Sequence, residues 1–128
     1  MKDGISNIGV VSTLVPAVVA ATTKGTAVDL QGFNSATLII NSGAVVSAGL
    51  YDVKLQESDT TTDGDFTNVD ADDLLGALPS ALAADSAYKQ GYKGTKRYIR
   101  AVITKQSGTS IAAGAVVLRG HPNDAPVA

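Results

Sequence analysis

Gly94-Thr-Lys-Arg-Tyr-Ile-Arg-Ala-Val-Ile-Thr-Lys105 is the stretch that decides the fold class. Ile99, Val102 and Ile103 are β-branched and suit a pleated, half-buried surface, while Lys96, Arg97 and Arg100 load one end with positive charge. The reading is a core strand with a charged rim. Just downstream, Gln106-Ser-Gly-Thr109 is a hairpin turn signal, so a last strand from Ile111 to Leu118 is expected to pair with the strand at 97 to 105. Upstream, Tyr88 to Tyr92 leads into the core strand, with Gly91 and Gly94 marking a bulge or bend.

The same period of two recurs in Leu50-Tyr-Asp-Val-Lys-Leu-Gln-Glu57, where Tyr51, Val53 and Leu55 fall on one face and Asp52, Lys54 and Gln56 on the other. Ala36-Thr-Leu-Ile-Ile40 is apolar on both faces and reads as central in its sheet. Phe66 and Val69 are candidates to anchor the polar loop before them on the core. Asp70 to Gly76 fits one helical turn, and the Ala-rich segment from Leu78 to Asp85 fits a second. Turn signals recur roughly every eight to twelve residues and no long amphipathic helix is present. The expected class is all-β, an antiparallel β-sandwich or jelly-roll-like barrel with one or two short helical turns near residues 70–85.

Residues 1–15 read as an N-terminal arm, 16–120 as the β-sandwich domain and 121–128 as an extended C-terminal tail. The apolar run from Ile8 to Ala21 has a superficial look of a signal peptide. Asp3 and the interruptions at Ser12, Thr13 and Pro16 oppose that, so an arm or edge strand is expected, with a first strand from about Ala17 to Ala21. At 128 residues the chain can bury roughly two thirds of its unfolded surface in one core. It has no cysteine, which removes disulfides, thiol chemistry and thiolate metal sites. A net charge of -2 gives no pull toward nucleic acid or an anionic membrane, and aromatic residues at 5% without Trp leave few stacking platforms for sugars or single strands.

No motif specifies chemistry. His121 is the one imidazole, and there is no Gly-x-Ser-x-Gly elbow to give it a nucleophile. Gly91-Tyr-Lys-Gly-Thr-Lys96 lacks the spacing of a phosphate loop. The carboxylates at Asp63, Asp65, Asp70, Asp72 and Asp73 offer hard oxygen ligands, but their order departs from a calcium loop, leaving Ca²⁺ binding by the acidic loop at 57–73 open. Seven of the 12 acidic residues fall between Glu57 and Asp73 and five of the 10 basic ones between Lys89 and Arg100. Either these regions face each other within one fold, or they meet across a subunit boundary. The expectation is therefore no enzyme activity, no catalytic residue, no cofactor and no metal site.

Four phrases together resemble a family of small virion structural proteins of tailed bacteriophages: Val53-Lys-Leu-Gln-Glu-Ser-Asp59, Phe66-Thr-Asn-Val69, Gly91-Tyr-Lys-Gly-Thr-Lys-Arg-Tyr-Ile-Arg100, and Val117-Leu-Arg-Gly-His-Pro-Asn-Asp-Ala-Pro-Val127. The likeness covers roughly residues 28 to 127. It implies a non-enzymatic head decoration, cement or minor head protein on the capsid surface, a homo-oligomer whose partner is the major capsid protein, with no nucleic acid and no membrane involved. Candidate partner contacts are the N-terminal arm, Lys96, Arg97, Arg100, His121 and Pro122. The alternatives are a phage tail or head-to-tail joining component, or a carbohydrate-binding β-sandwich module.

Overall fold

Alternation along the strands assembles the core. Tyr51, Val53 and Leu55 all turn inward and are buried while Lys54 is exposed, as a strand with one wet side requires. The computed structural model describes residues 2–126. In chain order the strands are β1 (Gly9–Val19), β2 (Thr23–Lys24), β3 (Val28–Asp29), β4 (Phe33–Val46), β5 (Leu50–Ser58), β6 (Thr67–Asn68), β7 (Leu74–Leu75), β8 (Ala87–Tyr92), β9 (Tyr98–Ser107) and β10 (Ser110–Pro122). They form two antiparallel sheets. One runs β1-β10-β4-β8-β7, and the other runs β2-β9-β5-β6 with β3 also paired to β9. Leu38, Ile40, Ile111 and Val117 from the first meet Tyr51, Leu55, Ile99 and Ile103 from the second in one buried cluster. Full burial of each such side chain stabilises by about 1.5–3 kcal/mol. The class is the expected sandwich, and β4 is central in its sheet.

The expected hairpin does not form. β9 and β10 belong to different sheets, and β10 pairs instead with β1 and β4. Gly108-Thr109 is a corner that carries the chain across the sandwich, and Ser47-Ala-Gly49 between β4 and β5 is a second corner lying against it. Gly108 has φ +80°, and Ser47 and Ala48 have φ +50° and +55°. A Cβ on Gly108 would run into the Ala48 carbonyl, and one on Gly49 into that of Ser110. The Tyr51 hydroxyl ties the two together by donating to the Thr109 carbonyl at 3.1 Å. A short connection fixes how far the chain travels, not which sheet it enters.

Both open sides of the sandwich are covered by the chain itself. On one side Thr13 of β1 is buried, donates to the Thr26 carbonyl at 2.8 Å and accepts from the Ala101 N–H at 3.1 Å. Gly25 fits there because an added Cβ would lie 2.6 Å from both the Thr13 and Ala101 carbonyls. On the other side, Val69 donates to Leu55, Leu82 to Tyr51, and Asp85 to Gly43, all through backbone N–H groups. Covering an edge in this way removes a template for unwanted strand addition.

That cover explains a second departure. The segment from Leu78 to Asp85 is not helical, because its N–H groups bond to β4 and β5 and a short helix cannot compete without packing of its own. The other expected turn exists as a 3₁₀ turn at Ala71–Asp73, capped by the Asp70 carboxylate, and a further one forms at Asp63–Asp65. β1 begins at Gly9, so part of the expected arm and the residues before Ala17 are sheet. Register shifts between Ser12 and Ala17 absorb Pro16, which need not pair at a bulge on an edge strand. β10 likewise runs to Pro122, taking His121 and Pro122 out of the tail. Met1 of the arm and residues 127–128 of the tail lie outside the described residues.

Gly108→Ala should lower unfolding stability by at least about 3 kcal/mol, combining left-handed strain with the clash. Gly32→Ala, at φ +90° but with no atom within 4 Å, should cost only about 1–2 kcal/mol. Urea unfolding of the two variants checks this; equal losses would contradict the corner-to-corner contact.

Candidate functional site

The charged end of β9 is organised by the fold's own acids. Arg97 holds Asp29 with two bonds, Nε to Oδ1 at 3.0 Å and Nη2 to Oδ2 at 2.9 Å. Lys96 pairs with Asp59 at 2.9 Å. Arg100 reaches Asp63 at 2.6 Å, donates from Nε and Nη2 to the Gln56 side chain, and lies 4.1 Å over the Phe66 ring. Only 6% of Arg100 is exposed. Lys24 shares Asp63 at 3.0 Å. Asp59 and Asp63 of the acidic stretch therefore meet Lys96 and Arg100 of the basic one inside one chain, the first of the two readings of the charge pattern.

Electrostatics follow the contacts. The Arg100 hydrogen bond, and then that of Lys24, hold the Asp63 carboxyl below the usual carboxylate range. Arg97 does the same for Asp29. Burial, followed by the Glu57 carboxylate, pushes the Tyr92 hydroxyl well above the usual phenol range. Tyr92 donates to Glu57 at 2.7 Å and accepts the Lys96 N–H at 3.1 Å, pinning the 93–97 segment to the end of β5. Asp65 accepts from Thr60 at 2.6 Å. Among the described residues no three His, Cys, Asp or Glu side chains converge on a point where a metal could sit.

Four of the five candidate contact residues come to one end of the sandwich. Lys96 and Arg97 line a cavity of about 680 Å³ with Phe33, Asn34, Ser35 and Lys93. His121, at φ +47°, places Nδ1 2.9 Å from Ser35 Oγ, and its carbonyl accepts from Asn34 at 2.9 Å. Pro122 pairs with Phe33. Arg100 stands apart, buried on the outer side of the β9 sheet. Gly9 lies against Arg119 and Phe33, so both chain ends leave from this same end. Asp3 folds the N-terminal segment into a turn by accepting from the Ile5 and Ser6 N–H groups, and Ile5 is left 79% exposed.

Sequence reading missed Phe33 and Arg119, which stack at 4.4 Å under this end while Arg119 donates to the Asp29 carbonyl. The signal was there: Arg119 continues the inward parity of Ala115 and Val117. An arginine in an inward position asks for a partner.

No family model matches the chain, and no curated protein matches it. Among solved structures it is similar to a chain of the infectious bursal disease virus Gx strain structure, at 11% identity and a TM-score of 0.49. The match covers 93% of this chain and 35% of that one, so the chain spans about a third of that protein's length.

Asp63→Asn should unfold at lower urea than the parent at pH 6. A carboxyl whose folded pKa is depressed stabilises above its unfolded value near 3.8, and that contribution is lost as pH falls through the lower folded value. The gap between the two proteins should therefore narrow below about pH 3.8. A gap independent of pH would contradict the ion pair.

Proposed function

We propose that this chain is a non-enzymatic structural protein of a tailed-phage virion, seated on the capsid surface and stabilising the shell as a decoration or cement protein. Its partner is the major capsid protein, and it works as a homo-oligomer. One observation carries the reading: a single end of the sandwich gathers the start of β1, from which the N-terminal segment with the exposed Ile5 leaves, the end of β10, and a cavity lined by the half-exposed Lys96 and Arg97 and by Lys93, which has no ionic partner among the described residues. An exposed apolar side chain on the N-terminal segment, together with cations that keep their orientation through Asp59 and Asp29, suits docking on a protein lattice, where charge sets orientation and repetition multiplies modest contacts.

The phrases behind the phage resemblance support this from another side. β5, Phe66 to Val69, and the 91–100 segment come together through Gln56–Arg100, Asp59–Lys96, Glu57–Tyr92 and the Arg100–Phe66 stack. They form the lock that holds this end rigid. What the resemblance shares is thus a framework for presenting a surface.

The test is co-sedimentation of purified protein with phage heads lacking it. The parent should bind to saturation. Ile5→Asp combined with Lys93→Glu should weaken binding by at least tenfold, and Lys54→Glu on the outer side of the β9 sheet should leave it unchanged. No binding to heads, or equal loss with Lys54→Glu, would overturn the proposal.

A further inference from the structure

The two outer faces of the sandwich differ in kind. The β9 sheet is covered by the 59–66 loop and laced with Lys24, Asp63, Arg100 and Gln56. Among the described residues no loop crosses the β4 sheet, and only the Pro16 ring of its own edge strand folds over it at Gly114. Its outward residues are Val10 and Ser12 of β1, Gly114, Val116 and Leu118 of β10, Thr37, Ile39 and Asn41 of β4, and Ala87 and Gly91 of β8, with Lys89 the one charge among them. Val10 is 57% exposed, Val18 71% and Leu75 56%.

Size on this face is graded along the strands. At one end stand Val10, Leu118 and Leu75, the last packed over Gly91. At the other, Ala112, Gly114 and Gly43 floor a trough of about 680 Å³ walled by Pro16 and Val18. The glycine is required: a Cβ on Gly114 would lie 2.8 Å from the Pro16 ring. A face that is large at one end and hollow at the other complements itself when a copy is turned about a two-fold axis lying between the sheets and perpendicular to the strands.

We propose that this face is the interface with a second copy of this chain, packed sheet on sheet so that the bulky end of each copy enters the trough of the other. At ~3.4 Å per residue and ~4.8 Å between strands the five strands offer roughly 750 Å² per copy, close to the roughly 800 Å² a side of a stable specific interface. The two-fold makes the contact isologous, so it closes as a dimer and does not propagate. Lacking charge apart from Lys89, which stands where β8 is the open edge and can keep its ammonium in water, the face offers little to a partner recognised electrostatically, whereas a second copy supplies a matching shape. The assignment deepens the oligomeric part of the proposed function and rests on that reading only there. It is tested on purified protein, so it can fail while binding to heads succeeds, and the reverse.

Under this two-fold, Val10 of one copy faces Val18 of the other. Both are exposed, and the chain has no cysteine of its own. In sedimentation equilibrium the parent should be dimeric, and Ser12→Arg, an exposed position midway along the edge strand β1, should raise the dissociation constant at least about tenfold by placing unpaired charge at the seam. Val10→Cys/Val18→Cys should oxidise to a covalent dimer, while either single variant should stay uncrosslinked. A monomeric parent, a dimer indifferent to Ser12→Arg, or crosslinking by Val10→Cys alone would each overturn the proposal. Circular dichroism of Ser12→Arg separates lost association from lost folding, and an unfolded variant passes the decision to the cysteine pair.

Discussion

Two backbone corners resting on each other constrain everything else in this molecule. Where β4 passes to β5 and β9 passes to β10, the chain leaves one sheet and enters the other, and the two crossings touch through Gly49, Gly108, Ala48 and Ser110 with no room for a side chain between them. Because both crossings happen at one place, the four longest interior strands are shared evenly: β4 and β10 pair in one layer, β5 and β9 in the other. The core then fills by alternation. At the opposite end the chain crosses twice more, from β3 to β4 and from β8 to β9, with the Leu30 N–H bonded to the Arg97 carbonyl at 2.8 Å, and side chains add to the tie: Glu57 of β5 receives the Tyr92 hydroxyl from β8, and Arg119 of β10 reaches the Asp29 carbonyl of β3.

The molecule thus has a tight end closed by glycine corners and a wide end where side chains reinforce the crossings and line a cavity. At the wide end the cations Lys93, Lys96 and Arg97 and a cavity coincide with the start of β1 and the end of β10. Ion pairs such as Lys96–Asp59 are exposed and contribute little to stability. Their effect is to fix direction: a lysine held by an aspartate points the same way in every copy. Arg100 illustrates the other limit. Buried under Phe66 and bonded to Gln56 and Asp63, it is part of the lock.

Much of the fold was legible in the residues. The period of two in Leu50–Ser58, the doubly apolar run at Ala36–Ile40 and the β-branched run at Ile99–Ile103 each specify a strand and its burial, because the core selects the apolar face directly. Phe66 and Val69 are buried as their isolation in a polar loop implies. What was not legible is partnership. Whether Gly108 turns a hairpin or a corner depends on Ala48, sixty residues upstream, and a local turn signal carries no information about it. The same holds for Leu78–Asp85, where helix propensity lost to distant carbonyls on β4 and β5. For the site, the clustering of acids and bases was visible, but not that Asp59, Asp63 and Asp29 would absorb Lys96, Arg100 and Arg97, nor that His121 would sit beside them through Ser35.

If the chain acts by presenting one fixed end to a protein lattice, a cryo-electron microscopy reconstruction of particles carrying it will show that end in contact. The density should show the sandwich standing on the shell with Ile5, Lys93, Lys96 and His121 at the contact and the tight end formed by Gly49 and Gly108 pointing away. Particles without the chain, or a sandwich lying on its β9 sheet with the 59–66 loop against the shell, would contradict it.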